Sequence, residues 1–496
     1  MTRWRSATLQ HAVTVAATLA LTAYAVVLFS NISFAAAGSD SSGYLNLARM
    51  IARGRASYVI EPLRTLGLDN SWIDALTPIG FTWGKANTGT MAPGYPPGLP
   101  VHMVLAATFG GWKIAPFLIS PLAAIACGIM MFAVGRELGL SRPGSVLSAI
   151  LLLVLPQTIA HAVQPVSDVL ATFWALVAMW CVLRSQRTLW VAVLGGAAYA
   201  IGVWVRPTNA LLLLPLLVAA RLRPSILLRF VAGGAPFGVA LLAYQARVYG
   251  NPLQTAYGTV GHVVSFGGIE TCARIFAKYL TRISTPFVFP AGLLVIFDPR
   301  RDRWTRAMLP LWFAVFFAFY CLWAPFDDWW ALRFLLPGMP GLIFGAILLL
   351  ESFATVFRPR AQRVSAAVIA VLIAAVTIGR PIILDKEYRV LDTDEQEEVY
   401  RDAVLWAEQR LPKDAVVMSG ALSGSFFYYS DRFTVRPDRL DDERFQLLRA
   451  YAGSRGLRWY AVIIPGEDHS NLPNVFSGNW RRIDTLGSIE LWRLDS

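Results

Sequence analysis

Charge is scarce in this chain. Only 15% of its 496 residues are Asp, Glu, Lys or Arg, while 55% are hydrophobic. An ordinary globular chain is about 25% charged. A water-soluble globule of this length is therefore excluded, because it could not hide so much apolar surface. Cysteine is scarcer still, at four. Cys127, Cys181 and Cys321 fall in apolar runs, Cys272 stands alone in a connection, and no CxxC or Cys/His cluster occurs. That spacing supports neither a zinc site nor a disulfide framework. The five histidines, His11, His102, His161, His262 and His469, are scattered and form no metal box. Acids are also few, 32 against 44 basic residues, for a net charge of +12. This excess does not mark a nucleic-acid binder. The arginines cluster between apolar stretches, where they orient a membrane protein.

Long hydrophobic runs are what the chain has in abundance, with mean hydropathy +0.50. A helix needs about 20 apolar residues to cross a bilayer. Hydropathy places spans near 12–36, 114–135, 144–163, 167–183, 188–205, 208–220, 226–246, 284–297, 307–324, 333–357 and 364–380, about eleven in all. The segments at 208–220 and 284–297 are too short to cross alone. The first run, behind Arg3 and Arg5, ends in "FAAAG", which looks like a signal-peptidase site. It is longer than a signal core of about 7–15 residues, so an uncleaved signal anchor is expected.

Arginines recur in alternate connections: Arg136 and Arg142, Arg184 and Arg187, Arg221 and Arg223, Arg300 to Arg306, Arg358 to Arg363. The positive-inside rule puts all of them, and the N-terminus, on the cytoplasmic side of the inner membrane. "HAVQPVSD" and "APFDDWWA" then face outward. "PPGLPVHMVLAATFG", 96–110, must lie on the surface or re-enter, since a crossing there would flip every later arginine loop.

The expected fold is mostly α: a polytopic helical core, residues 1–380, with a long first external loop at 37–110, and a small extracytoplasmic α/β domain at 381–496. In the tail, "TDEQEEVYRDAVLWAEQRLP" and "DDERFQLLRAYAGSRG" read as helices. "AVVMS", "FTVRP" and "YAVIIP" read as strands, and Phe426 to Tyr429 as strand core.

The outward face gathers the unusual polar residues: Asp40 after the first span, Asp168 at the head of the fourth, Arg206 closing the fifth, and Asp327, Asp328 and Arg333 before the tenth. Ionisable groups at membrane depth are costly, and they pair or line cavities. Each has a plainer reading as well: a helix cap for Asp40 and Asp168, a snorkelling anchor for Arg206, a solvated loop for Asp327 and Asp328. Arginines that hold phosphate beside a carboxylate that moves a proton would suit a lipid-linked anionic substrate.

The ordered set of an acid after span one, "YPPGLP", "QPVSD" and "RFLLPGMPG" resembles the GT-C class of membrane glycosyltransferases. The protein O-mannosyltransferase and aminoarabinose lipid A transferase branch is nearest in pattern, over about residues 3–380. The resemblance implies transfer of a sugar from a polyprenyl-phosphate donor to a lipid, protein or glycan acceptor, with no nucleic acid involved. It implies Asp40 as catalytic base and Asp168 as a second catalytic acid. Around the substrate it places Lys85, Tyr95, Pro96, Pro97, Arg206 and Arg333. Tyr95 stands where the family often has a basic residue, and Phe334 where it has Tyr. No DxD follows Asp40, so no cofactor is firmly implied, and a divalent metal stays open. Two other functions compete: a transporter or flippase of lipid-linked sugars, and a non-catalytic partner in cell-envelope polymer assembly.

Overall fold

A computed structural model describes residues 2–84, 88–255, 257–258, 264, 266–283, 287–323, 326–354, 379, 382–384, 386–464, 466 and 475–495. The chain divides into two compact units. One comprises 1–32, 118–241 and 259–393; the other comprises 33–117, 242–258 and 394–496.

The first unit is helical. The chain is a multi-pass membrane protein: five helices are long and apolar enough to cross, Ala115–Glu137, Asp168–Ser185, Pro224–Tyr249, Arg303–Cys321 and Trp329–Ala354. Two bent pairs raise this to seven among the described residues. One joins Arg142–Leu153 to Pro156–Ala162 with a bend of 66°. Its cause is local: Leu155 precedes proline and is extended, as the pyrrolidine ring requires. About eleven were expected from hydropathy; the count here covers only the described residues, and some apolar runs among them make helices too short to span. Val191–Val205 has 15 residues, a rise of ~22 Å against a hydrocarbon core of ~30 Å. The stretch near 208–220 is a 3-10 turn, Pro207–Leu212, followed by the short helix Leu213–Ala219. The expected span at 364–380 lies outside the described residues apart from Gly379.

Helix ends carrying Glu137, Arg187, Arg221, Arg223 and Asp302 converge around one cavity of about 350 Å³. Glu137 pairs with Arg184 at 3.1 Å and Arg187 at 3.3 Å, and Arg221 with Asp302 at 3.6 Å.

One connection read from the sequence as a loop is partly helical. Ile269–Ile283 is an amphipathic helix whose buried residues Cys272, Phe276, Leu280 and Ile283 recur at helical spacing. Cys272 is thus a core residue, not a loop cysteine.

The second unit is built from three distant stretches. Its first-loop part holds the helix Gly38–Ala52 and an antiparallel sheet of β1 (Tyr58–Val59), β2 (Phe81–Trp83) and β3 (Thr90–Pro93), in the order β1-β3-β2. It also holds the helix Gly98–Gly110, which packs on Gly38–Ala52 and, at 13 residues, is too short to cross. The tail part forms a mixed sheet of β4 (Ala415–Met418), β5 (Thr434–Val435), β6 (Arg458–Ile463), β7 (Asn479–Leu486) and β8 (Ile489–Asp495), ordered β5-β4-β6-β8-β7. The three expected strands are β4, β5 and β6, and the two expected helices are Thr393–Glu408 and Asp442–Gly453. Phe426 to Tyr429 differ from expectation: they lie in a helix, Ser423–Ser430.

Alternation along the strands buries both faces of this sheet. Val417 and Val462 join Ala403, Val404 and Phe426 on one side. Met418, Ala461 and Ile463 join Phe445 and Trp459 on the other, in a core that also takes Ile60, Leu63, Trp72 and Met91 from the first loop. Loop and tail therefore share one core.

In the helical unit, Val191–Val205 and Pro224–Tyr249 meet backbone to backbone. A Cβ on Gly196 would fall 1.8 Å from the Phe230 carbonyl oxygen, and one on Gly233 would fall 1.9 Å from that of Val193. Gly238, on the same helix as Gly233, has open space. Gly196→Ala is expected to lower the thermal unfolding midpoint in detergent, whereas Gly238→Ala leaves it level or raises it slightly. Equal midpoints for both would refute the close-contact account.

Candidate active site

Asp40 sits in the first turn of the Gly38–Ala52 helix. It is not the cap that the plain reading supposed: Ala37 holds that position, with no side-chain cap. The Asp40 carboxylate instead accepts the Tyr95 hydroxyl at 2.5 Å, and that hydroxyl also meets Ser39 Oγ at 2.9 Å. Burial, then the charge of Asp40, hold the Tyr95 phenol far above its ordinary range, so it remains a donor. Tyr95 reaches Asp40 because Gly43 leaves room: a Cβ there would fall 2.4 Å from the Tyr95 ring. The Tyr44 ring packs on Tyr95 with centroids 4.7 Å apart. Pro96 and Pro97 follow and are buried, and Pro97 caps the Gly98–Gly110 helix. They shape the turn that delivers Tyr95. Lys85 lies outside the described residues.

The helix bearing Asp40 is held by the tail helix Ser423–Ser430, the "SGALSGSFFYYSDR" region. Asn46 Nδ2 donates to the Gly424 carbonyl at 2.9 Å, and Ser425 Oγ donates to that of Ala36 at 2.6 Å. The Ala36 N–H donates to the Tyr429 hydroxyl at 2.9 Å. The "FAAAG" stretch is thus pinned, with Ala35, Ala36 and Ala37 buried. A further acid approaches from the Thr393–Glu408 helix. Glu397 Oε1 accepts the Ser41 hydroxyl at 3.3 Å, and its Oε2 is shut off from solvent. Sequence reasoning did not single out Glu397, because "TDEQEEVYRDAVLWAEQRLP" reads as one charged helix whose individual acids are not distinguished.

A second group of charges lies in the helical unit. Asp168 opens the Asp168–Ser185 helix, and its side chain is only 4% exposed. It pairs with Arg206, itself 13% exposed. Arg333 and His161 are also close enough to act on Asp168 electrostatically. The guanidiniums of Arg206 and Arg333 both lie over the Phe334 ring, at 5.4 and 5.2 Å, and Arg333 also lies over Trp330 at 5.0 Å. Arg206 precedes Pro207 and is extended, which ends the Val191–Val205 helix and turns the side chain loose from it. Arg333, Phe334 and Pro337 lie in a 3-10 stretch, Trp329–Gly338, that continues as the helix Met339–Ala354.

The structure thus gathers Asp40 with Tyr95, and separately Asp168 with Arg206 and Arg333. Asp327 and Asp328 are exposed, and Asp327 pairs with Lys278 at 2.9 Å, as a solvated loop would. Among the described residues no group of three or more His, Cys, Asp or Glu is placed to hold a metal ion.

No protein-family model matches the sequence, and no curated protein matches it. Solved structures do. Apo ArnT from Cupriavidus metallidurans aligns with a TM-score of 0.61 at 14% identity, over 98% of both chains. The same protein bound to undecaprenyl phosphate aligns at 0.58 and 15% identity, over 96% of this chain and 97% of that one. The Archaeoglobus fulgidus oligosaccharyltransferase complexed with Zn and sulfate aligns at 0.57 and 12%, over 89% and 67%. At such identities the likeness is one of fold. The chain shares the overall fold of these solved structures.

Removing Arg206 strands a buried carboxylate. Arg206→Gln is expected to destabilise the protein by about 3–5 kcal/mol. Adding Asp168→Asn should recover much of the loss. Thermal unfolding of both single variants and the double variant checks this; strict additivity would show that the pair is not coupled.

Proposed function

We propose that the protein transfers a sugar from a polyprenyl-phosphate carrier to an acceptor hydroxyl on the outer face of the cytoplasmic membrane. The observation that carries this reading is the Asp40–Tyr95 hydrogen bond, at the head of the first external helix, in a chain with the GT-C fold over nearly its whole length. A neighbour of that fold was solved with undecaprenyl phosphate bound.

The reaction asks two things of the protein. The acceptor must lose a proton as its oxygen bonds to the anomeric carbon. The bond from that carbon to the phosphate oxygen must break, with its electron pair passing to the phosphate. Asp40 takes the proton. Tyr95 donates to one oxygen of its carboxylate and so fixes which oxygen faces the acceptor. Arg333 and Arg206 stabilise charge on the departing phosphate; both lie over the Phe334 ring, and such preorganisation is what electrostatic catalysis needs. Asp168 acts through Arg206 by fixing its guanidinium. Phosphate is already a good leaving group, so no strong acid is required.

The topology follows the charge rule. The arginine-bearing connections would be cytoplasmic, and four of them do gather around one cavity.

Purified protein in liposomes, given radiolabelled polyprenyl-phosphate sugars, tests the proposal. Asp40→Asn is expected to slow transfer by about 10²–10⁴-fold while leaving the unfolding midpoint unchanged. Near wild-type transfer by this variant would refute the base assignment. Movement of the carrier lipid across the bilayer without any transfer product would refute transferase activity and favour a transporter.

A further inference from the structure

The acidic turn that opens the Thr393–Glu408 helix is not uniform. Glu398 pairs with Arg401 at 3.0 Å, and Asp402 pairs with the same arginine at 3.0 Å; both are surface pairs. Glu397 turns the other way. Its Oε1 takes the Ser41 hydroxyl, and its carboxyl lies against Ser33. Its Oε2 is sheltered from water, and no cation among the described residues pairs with the carboxyl. A carboxyl oxygen left in that state is costly to the fold. Glutamine would serve a purely structural role there better, since its amide could donate to the serines.

The surroundings give Glu397 a reason to be an acid. Ser41 is the next residue after Asp40, on the same first turn. Asp40 is near enough for its charge to act on Glu397. Across from it, Tyr429 feels both Glu397 and Arg401. Among the described residues, then, Glu397 faces Ser33, Asp40 and Ser41 from the first loop, Tyr429 from the Ser423–Ser430 helix, and Arg401 from its own. Arg401 is already committed to Glu398 and Asp402.

We infer that Glu397 is a positioning residue for Asp40: it holds an exchangeable proton behind the base and, through Ser41 and by its own charge, sets the electrostatic state of the turn that carries Asp40. This rests on the reading of Asp40 as the base. The physical basis is burial without a cation. Burial first, then the charge of Asp40, push the Glu397 carboxyl up to about 7, while the Ser33 and Ser41 hydroxyls pull it back. Below that pH Glu397 is neutral. Above it Glu397 adds a negative charge behind the turn that carries Asp40. Transfer should therefore rise as the pH passes through neutrality.

Two measurements on the full-length protein in nanodiscs test this. The first is infrared titration between pH 5 and 9, which needs no turnover. Wild type is expected to show a protonated-carboxyl band that disappears near neutral pH. Glu397→Gln should lack it. In Asp40→Asn the midpoint should move down, and in Ser41→Ala it should move up. The second is the pH profile of the transfer rate. Wild type should step up on the order of 3- to 10-fold across neutrality, and Glu397→Gln should be flat, with the donor KM unchanged. Glu397→Asp should restore part of the step. Superimposable band titrations for wild type and Glu397→Gln overturn the inference; where Glu397→Gln does not fold, an unmoved midpoint in both Ser41→Ala and Asp40→Asn overturns it. A titrating band with no transfer by wild type at any pH overturns the proposed function instead, and leaves the proton on Glu397 standing.

Discussion

Asp168 and Arg206 form a charge pair at the head of a membrane-length helix, where neither could be solvated alone. Much of the helical unit's geometry follows from satisfying that pair. Arg206 can turn toward Asp168 because the proline after it forces extended backbone and ends its helix. The short 3-10 segment that follows is then tied down on both sides. Asn209 donates to the Ala171 carbonyl at 2.9 Å, one turn along the helix that Asp168 opens, and the Thr208 and Tyr320 hydroxyls meet at 2.9 Å. Tyr320 stacks on Phe334 with centroids 5.0 Å apart, and Phe334 is the ring beneath both arginines. One pairing requirement thus organises segments from residue 168 to residue 334.

The second unit meets a different constraint. Asp40 stands on a helix whose own sequence is small and polar at its start, so its placement comes from close approach. Glycine at 43 admits the Tyr95 ring, and glycine at 424 lets the tail helix reach Ser42, with a Cβ there falling 2.2 Å from the serine oxygen. Hydroxyls finish the work, those of Ser39, Ser41, Ser425 and Tyr429 each linking two distant segments. Where the first unit uses charge, this one uses small residues and short polar links.

Much of this was legible in the sequence. Acids and arginines at apolar boundaries are rare enough to stand out, so Asp40, Asp168, Arg206 and Arg333 could be named from one chain. The tail's strands and helices were visible because their periods are 2 and 3.6 and their ends carry turn residues. The rest failed for identifiable reasons. Hydropathy measures apolarity and not helix length, so it did not show that the run near 188–205 makes a helix of only 15 residues. The Ile269–Ile283 helix was hidden by its low mean apolarity, although its buried residues repeat every three or four positions. Glu397 could not be found at all: a single acid turned inward from a run of acids leaves no mark on composition or spacing. Phe426 to Tyr429 read as strand core from their apolarity, whereas the glycines and serines beside them permit close docking of the helix Ser423–Ser430.

The unit around Asp40 is assembled from stretches near the beginning, the middle and the end of the chain. The helix that carries Asp40 is clasped by Ser423–Ser430, and its neighbour Ser41 meets Glu397. Ribosomes make these partners hundreds of residues later. During biogenesis the nascent chain therefore threads its earlier segments through the bilayer while Asp40 still lacks its final environment. The Gly38–Ala52 helix therefore reaches its final packing only once Glu397 and Ser423–Ser430 have been made.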